Sequence, residues 1–488
     1  MLLSQVPAFL GAAFVAWAPR FYQLPLGLSS SITDHLTSMH QLSSDPEFAF
    51  ILGEFLSFSN RSGANTGEIL RAAAVIKPGD FESWYREFKF LADGIYATAI
   101  EAEKKEQLVS ARDAFFRSST YYRAADFFLH GNQDDPRLRS LWEKQNATFR
   151  KAAGLLPNPA SYVEIATSTF TIPVYFYPAD GRLPKSQHPK GKGHTEKKPT
   201  VIVGQGYDGA HEALYHMTCR DVIERGWNCV TFEGPGQPTV RRQQGLGFRP
   251  DWWEVLRPIV DYLHSRDDVD VDKVALIGVS FGGLLAPRAA SHEHRLAAVV
   301  ACNGMLSLHR SIRSKLTGEL EGYYASGNKA AFNTYVNAAL ASPDTPTIFR
   351  WAVEHGMFAW AMTDPYEWFH SVRDFDISEE MLHNISSPVL VVSGENDFMA
   401  PGQPEQMDKI LGEKGSYVLL KTDLGAGEHV GLGAESQQAM EILGWLGDVF
   451  ANVTASRMDI RGVAEQDAVP NESSTEEESN GTMFYPVV

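Results

Sequence analysis

One apolar stretch carries the strongest structural signal in this chain: Lys273-Val-Ala-Leu-Ile-Gly-Val-Ser-Phe-Gly-Gly-Leu-Leu-Ala286. Its first half is a short β-branched and apolar run, typical of a strand that is buried on both faces of a parallel sheet. Gly278-Val-Ser-Phe-Gly-Gly283 follows, which is a Gly-x-Ser-x-Gly motif with one additional glycine, and a helix-like segment comes next. A strand, a sharp turn and a helix, with the serine at the apex, is the context in which this motif presents a nucleophile. We therefore predict that Ser280 is a nucleophile.

The glycines of this motif have a physical explanation. A nucleophile on a strained turn needs neighbours without a Cβ, so that the backbone can fold tightly and a substrate can approach. The amide N–H of the next residue, Phe281, then points with the helix N-terminus towards the place where an oxyanion would form. Because Gly-x-Ser-x-Gly also occurs by chance, the prediction depends on the flanking strand and helix.

Length and composition indicate a large globular protein. The 488 residues suggest about two or three domains. A 44% apolar fraction, with 28 Phe, 17 Tyr and 10 Trp, can fill a large core. The net charge of −17, without a basic helix or Lys/Arg cluster, argues against nucleic-acid binding. Part of the acidity lies between Glu465 and Glu478, in a Glu- and Ser-rich segment that we expect to be disordered.

Cysteine usage favours the cytoplasm. Cys219, Cys229 and Cys302 are far apart in sequence and form no Cys-x-x-Cys, so neither a disulfide framework nor a zinc site is expected. The apolar stretch Val6–Ala18 favours secretion or an endomembrane location instead, but the first ten residues contain no Lys or Arg, and the stretch is too short for stable membrane insertion. Six Asn-x-Ser/Thr sequons also favour secretion, at Asn60, Asn146, Asn384, Asn452, Asn471 and Asn480.

The N-terminal part of the chain is predicted to be helical. Asp80 follows a Lys-Pro-Gly stop signal and is a candidate N-cap for a helix over Phe81–Gln107. Ala111–His130 and Pro136–Ala153 are predicted to be further helices. Four aromatic residues of this region either line a pocket or, as we favour, form core or dimer contacts: Tyr121, Tyr122, Phe127 and Phe128.

After residue 160 the pattern changes to alternating strands and helices, which predicts a doubly wound, mostly parallel sheet. A helical, aromatic-rich insertion interrupts this alternation and is a candidate lid. We therefore predict a poorly defined segment over 1–45, a helical cap or dimerisation domain over 46–160, the first part of an α/β core over 161–304, a helical lid over 305–384, the second part of the core over 385–455, and an acidic disordered tail over 456–488.

An activated serine needs a base, and the base needs an acid that holds it in the correct tautomer. In this architecture the chain order is serine, acid, histidine. Asp397 follows a predicted strand at Val389–Ser393, and His429 lies in a Gly-rich loop after the next strand. We predict a triad of Ser280, Asp397 and His429. Glu395 is the alternative acid, but it lies two residues nearer the strand, from where its side chain is less well placed to reach the adjacent histidine loop.

Two further loops at strand carboxyl ends offer candidate site residues. The loop after Val201 should supply the second oxyanion donor. We predict the amide of Tyr207 for this role, with Asp208 or Gly206 as alternatives. Glu233, in the Glu-Gly-Pro-Gly-Gln loop, is either a substrate contact or, as we favour, part of a structural turn. No metal-ligand spacing or dinucleotide fingerprint stands out, so we expect chemistry without a metal or cofactor.

Several motifs resemble one family, the fungal α/β hydrolases of secondary-metabolite clusters. This family includes fusarin- and cytochalasan-type hydrolases and pigment hydrolases that shorten a polyketide chain. The resemblance spans roughly residues 45–450, and a more distant likeness is to bacterial C–C-bond hydrolases that cleave ketones beside a pyridine ring. The motifs are Gly67-Glu-Ile-Leu-Arg-Ala-Ala73, Pro78-Gly-Asp-Phe-Glu-Ser-Trp-Tyr85, Gly206-Tyr-Asp-Gly209, Phe232-Glu-Gly-Pro-Gly-Gln-Pro-Thr-Val-Arg-Arg242, Gly245-Leu-Gly-Phe-Arg-Pro-Asp-Trp252, Gly278-Val-Ser-Phe-Gly-Gly283 and Asp364-Pro-Tyr-Glu-Trp-Phe369.

The resemblance implies an α/β-hydrolase fold and a homodimer whose N-terminal helices cover the active site. It also implies a bulky polyketide or polyketide–amino-acid substrate. Our leading hypothesis is a serine hydrolase that cleaves an ester, a thioester or a C–C bond beside a ketone, or that assists ring closure. The alternatives are a non-covalent scaffold for cyclisation on the same fold and a general secreted carboxylesterase.

Overall fold

The computed structural model describes residues 39–180 and 197–467, with side chains described as far as residue 456. The stretch Val6–Ala18, the Lys- and Gly-rich loop before residue 197 and the sequons at Asn471 and Asn480 lie outside the described residues. None of the helices within the described ranges combines the length and the apolar character that a membrane-spanning helix needs.

An eight-stranded, mostly parallel sheet organises the fold, as predicted. Its strand order is β1-β2-β4-β3-β5-β6-β7-β8. The pairs β1/β2 and β2/β4 are antiparallel, and the remaining neighbours are parallel. The strands are β1 Ser161–Ala166, β2 Thr171–Tyr177, β3 Lys198–Gly204, β4 Asn228–Phe232, β5 Val269–Val279, β6 Ala298–Cys302, β7 Val389–Gly394 and β8 Gly415–Leu420.

The central strand β5 is buried on both faces, which explains its continuous apolar sequence. Val274 and Leu276 face one core, whereas Ala275 and Ile277 face the other. Each fully buried aliphatic side chain of this kind contributes roughly 1.5–3 kcal/mol by leaving water. The strand begins at Val269 rather than at the expected Val274, because its pairing with β3 continues past a register shift. Because β3 and β6 flank β5, the carboxyl end of β5 lies at the centre of the sheet edge.

The N-terminal helices contribute to the core on one face of the sheet and also pack on one another in a second core. Asp45, Asp80 and Asp135 cap three of them by accepting first-turn backbone N–H groups. The aromatic residues Tyr121 and Tyr122 are buried in this core, in line with the favoured core interpretation. The helices are α1 Pro46–Ser57, α2 Thr66–Ala73, α3 Phe81–Lys104, α4 Leu108–Asp126 and α5 Pro136–Gly154.

The remaining helices cover the sheet and fill the insertion between β6 and β7. The last helix continues to Asp467, so residues 456–467, which we expected in the tail, have helical backbone. The crossover helices are α6 Arg220–Glu224, α7 Pro238–Gln244, α8 Trp253–His264 and α9 Gly282–Ala290. The insertion contains α10 Leu308–Arg313, α11 Gly318–Ala325, α12 Lys329–Leu340, α13 Thr347–Ala359, α14 Pro365–Ser371 and α15 Glu379–His383, followed after β7 by α16 Gln403–Leu411 and α17 Glu435–Asp467.

Candidate active site

Ser280 lies at the turn between β5 and α9 in a strained conformation. Its φ of +61° is in the left-handed region, which is uncommon for a residue with a Cβ and occurs often at functional sites. The neighbouring glycines make this turn possible. A Cβ on Gly278 would collide with the carbonyl of Gly282, and one on Gly283 would collide with the carbonyl of Cys302. The turn therefore requires glycine on both sides of the serine.

The structure brings the three residues of the predicted triad together. The Ser280 Oγ lies 2.9 Å from His429 Nε2. His429 Nδ1 lies 2.8 Å and 3.0 Å from the two carboxylate oxygens of Asp397. Asp397 follows β7 and His429 follows β8, so three parallel strands deliver the three side chains to one edge of the sheet. This arrangement can pass a proton from the serine hydroxyl to the imidazole.

The alternative acid, Glu395, points elsewhere. One of its carboxylate oxygens accepts the backbone N–H of Thr422 at 3.0 Å, and the other lies 3.2 Å from Lys421 Nζ. Glu395 therefore holds the loop after β8 to the end of β7. The position two residues later brings Asp397 to the imidazole.

The surroundings of His429 favour its protonated form. Burial alone would lower the pKa of this imidazole, but the negative charges around it, that of Asp397 foremost, together outweigh burial and raise the pKa above its usual value. Asp208 and Glu54 add to this increase. The electrostatics therefore stabilise an imidazolium, the species that forms when the histidine accepts a proton.

The loop after β3 lies directly against the turn that carries Ser280. A Cβ on Gly206 would lie 2.5 Å from the amide nitrogen of Phe281, so only glycine permits this approach. The amide of Gly206 donates to the side chain of Gln205 at 3.1 Å, and the Asp208 amide is held by its own carboxylate. Within residues 39–180 and 197–467, the amides of Phe281 and Tyr207 have no acceptor. Of the three candidate second donors, the amide of Tyr207 is the one left available.

Helix α13 of the insertion holds Tyr207 in place. The Tyr207 hydroxyl donates to the carbonyl of Ala352 at 2.6 Å, and His355 Nε2 lies 3.0 Å from the carbonyl of Tyr207. A Cβ on Gly356 would collide with the Tyr207 hydroxyl. The sequence analysis did not identify this contact between the insertion and the oxyanion loop.

A cavity of about 550 Å³ opens above Ser280 and His429. Helix α1, the insertion and the loops after the strands all contribute to its wall, which is mainly apolar. The resemblance implied that N-terminal helices cover the active site, but the sequence analysis did not identify which α1 residues line the cavity. Glu47 and Glu54, at helical spacing among apolar residues, were the available signal. The apolar lining residues are Phe50, Ile51, Phe58, Met217, Val279, Phe281, Met305, Leu308, Ile312, Ile348, Trp351, Phe398, Met399, Val430 and Leu432.

Glu233, for which a substrate contact was the less favoured alternative, is not among the residues that line this cavity. Its side chain is fully buried, and its two oxygens accept the backbone N–H groups of His211 and Thr239 at 3.0 Å and 2.6 Å. These bonds hold the loops after β3 and β4 together. These hydrogen bonds support the structural interpretation of Glu233, which the sequence analysis favoured.

One buried group of side chains has the atom types of a metal site. Atoms of His211, Glu212 and Glu233 all lie within 4.8 Å of one another. His211 Nε2 lies 3.3 Å from a carboxylate oxygen of Glu212. Burial opposes a charge on His211, but Glu212 and Glu233 outweigh it and raise the pKa of the imidazole. We interpret the group as an ionic network behind the active-site loops.

Comparison with known proteins agrees with this fold. The α/β hydrolase fold family matches residues 224–432. Hydrolase LUC6 of Fusarium sp. is 30% identical over 428 residues, which cover 84% of this chain and 98% of that protein. The 20-hydroxy-prefusarin hydrolase FUS2 of Gibberella moniliformis is 29% identical over 371 residues, which cover 74% of this chain and 84% of that protein. The crystal structure of 2,6-dihydroxy-pseudo-oxynicotine hydrolase covers 80% of this chain and 95% of its own, with a TM-score of 0.61 and 20% identity.

These similarities show the class of the protein, which is a hydrolase with the α/β-hydrolase fold. Within that class, the chain belongs to the family of fungal secondary-metabolite α/β hydrolases. The resemblance inferred from the sequence motifs is thereby confirmed.

Proposed function

We propose that the protein is a serine hydrolase acting on a bulky, largely apolar polyketide or polyketide–amino-acid intermediate in secondary-metabolite biosynthesis. The observation that carries this proposal is the continuous contact from Ser280 Oγ through His429 to Asp397, at 2.9 Å and 2.8 Å, beside an apolar cavity. The relatives named as fungal hydrolases support it. The cavity volume of about 550 Å³ suits a substrate of the size of a small natural product.

In the proposed mechanism, Ser280 Oγ forms a bond to the substrate carbonyl carbon and its proton passes to His429 Nε2. The carbonyl electron pair becomes an oxyanion, held by the amides of Phe281 and Tyr207. The tetrahedral intermediate then collapses. The bond to the leaving group breaks, and His429 returns the proton to that group. Water then attacks the acyl-enzyme while His429 accepts its proton. As the bond between the acyl carbon and Ser280 Oγ breaks, His429 returns the proton to Oγ, which releases the acid and the free serine.

The leaving group decides the reaction class. An oxygen or sulfur leaving group corresponds to an ester or thioester. A carbon leaving group stabilised as an enolate beside a ketone corresponds to C–C cleavage. If an internal hydroxyl or amine replaces water in the second step, the same acyl-enzyme closes a ring. We further propose that residues 305–384 form a lid, since α10 and α13 line the cavity.

The test is covalent labelling with a fluorophosphonate and turnover of a short-chain aryl ester, in the wild type and in Ser280→Ala. The expected result is a single labelled peptide containing Ser280 and ester hydrolysis, both lost in Ser280→Ala. Ser326→Ala, which changes an exposed serine of the insertion, is the matched control and should behave as the wild type. Labelling that persists in Ser280→Ala would reject the assignment of the nucleophile.

The homodimer and the cytoplasmic location stay predictions. The homodimer follows from the resemblance, and the location follows from the cysteine usage. Light scattering of the purified full-length chain tests the first, and glycosidase sensitivity of the protein expressed in a fungal host tests the second.

A further inference from the structure

Helix α1 presents a charged and aromatic face to the cavity. Glu47, Phe50, Ile51 and Glu54 all line it, at the spacing of one helix face. The Phe50 ring lies 6.4 Å from the imidazole of His429, measured between ring centroids. Glu47 is one helical turn from Phe50, about 5 Å along the axis. The carboxyl of Glu47 therefore borders the space in which a substrate bound at Ser280 would extend.

Glu47 is unusual among the lining residues because no described residue is a hydrogen-bond or ion-pair partner of its carboxyl. The residue is only 5% exposed, and within the described part of the chain its carboxyl forms neither a hydrogen bond nor an ion pair. Its carboxyl oxygens are not among the fully enclosed atoms without a partner, so they are open to the cavity. A carboxyl with so little access to solvent is stabilised when a hydrogen-bonding partner is supplied. An unpartnered, buried carboxyl at the wall of a cavity is the arrangement expected where a ligand supplies the missing partner.

The neighbouring charges define which partner fits. Arg123 already serves two carboxylates, Glu54 at 2.9 Å and Asp208 at 3.8 Å. Burial raises the pKa of Glu47, and the negative charges of Asp45, Asp208 and Glu54 raise it further, so the free carboxyl favours its neutral form. A cation or a hydrogen-bond donor bound beside Glu47 would offset these effects and favour the carboxylate. Four carboxyls line the cavity, those of Glu47, Glu54, Asp208 and Glu435, against the two cationic side chains of Arg123 and Lys315. The cavity therefore favours hydrogen-bond donors and cations over anions.

We propose that Glu47 forms a subsite for a hydrogen-bond-donating group of the substrate, a hydroxyl or a protonated amine. We place this group several bonds from the reacting carbonyl, because Glu47 is one helical turn from Phe50, whose ring lies 6.4 Å from the imidazole of His429. The proposal rests on the proposed function, since it places the donor on the same substrate that Ser280 attacks. It assigns Glu47 to substrate selection, whereas the three residues at Ser280 perform the bond cleavage.

The test compares three aryl esters whose acyl chains have the same length and end in a methyl, a hydroxyl or an ammonium group. The wild type should prefer the hydroxyl or the ammonium ester over the methyl ester in kcat/KM. In Glu47→Leu, the preference should fall by about 10- to 100-fold, because no acceptor remains. Glu47→Gln keeps an acceptor without a charge. This variant should still prefer the hydroxyl ester over the methyl ester but should no longer prefer the ammonium ester. The two results distinguish a hydroxyl donor from a protonated amine.

Glu106→Gln, an exposed change outside the cavity, is the control and should keep the wild-type preference. The extent of fluorophosphonate labelling at Ser280, once the reaction is complete, reports how much of each variant is folded. Equal preferences in the wild type and Glu47→Leu, with Ser280 still labelled and the esters still hydrolysed, would overturn the subsite and leave the proposed function standing. If the wild type hydrolyses none of the three esters, that result would instead count against the proposed function.

Discussion

The hydroxyl of Tyr207 donates a 2.6 Å hydrogen bond to the backbone carbonyl of Ala352, joining the loop after β3 to helix α13. His355, one turn further along the same helix, lies 3.0 Å from the carbonyl of Tyr207. The loop that contains the proposed oxyanion donor is therefore held by the insertion as well as by the sheet. The position of the insertion and the geometry of the oxyanion loop are physically connected.

Removing this bond should affect catalysis more than binding. In Tyr207→Phe the ring stays and the hydroxyl is lost, so the loop keeps its packing but loses one attachment to α13. We expect kcat on an aryl ester to fall about 5- to 20-fold with little change in KM, since roughly 1–1.5 kcal/mol of positioning is lost. Steady-state kinetics measure this. Tyr323→Phe removes a hydroxyl bonded to Glu319 at the outer side of the insertion and should leave kcat unchanged. Equal effects of the two changes would argue against the positioning role.

Two substitutions distinguish the acid that supports His429. Asp397→Asn should lower kcat by about 10⁴, because the amide cannot stabilise the imidazolium and favours the wrong tautomer. Glu395→Gln removes a carboxylate that accepts the Thr422 amide, and it should cost stability while keeping kcat within about threefold. Kinetics on the same ester, with thermal unfolding of both variants, tests the pair. A reversed order of the two kcat values would assign the role to Glu395.

The pH dependence should reflect the raised pKa of His429. A general base works when neutral, so kcat/KM for a non-ionising ester should fall about tenfold per pH unit below the pKa of His429. Because Asp397 and then Asp208 raise that pKa, the midpoint of the acid limb of the kcat/KM profile should lie above pH 6.5, the usual pKa of histidine. Asp208→Asn should move the limb to lower pH, whereas Asp423→Asn, at an exposed position, should not. A limb that is unmoved in Asp208→Asn would contradict this electrostatic account.

The structural role of Glu233 predicts a change in stability. Glu233→Gln replaces one carboxylate oxygen by a donor that faces a backbone N–H, either that of His211 or that of Thr239. We expect the free energy of unfolding to fall by about 1–3 kcal/mol in denaturant titrations. Specific activity per fluorophosphonate-labelled site should stay at the wild-type value. An increase in KM without a decrease in the free energy of unfolding would favour the substrate-contact hypothesis.

Much of the fold was predictable because its signals are local. The buried run before Ser280 and the glycines after it are short-range features, and the alternation of strands and helices implies a parallel sheet. Helix ends were harder to place. The last helix continues to Asp467 because adding residues to an existing helix is far easier than starting one, even where the sequence is polar.

The amino-acid sequence alone was sufficient for the strand–turn–helix around Ser280, and for the order in which Asp397 and His429 follow it. Each of these features depends on neighbouring residues and on the known direction of parallel strands. The tertiary structure was needed to show that Asp397 rather than Glu395 faces the imidazole, that Glu233 is enclosed between two loops, and that Glu47 borders the cavity. These outcomes depend on contacts between segments far apart in the chain, and a side chain's neighbours across such distances are not encoded in its local pattern.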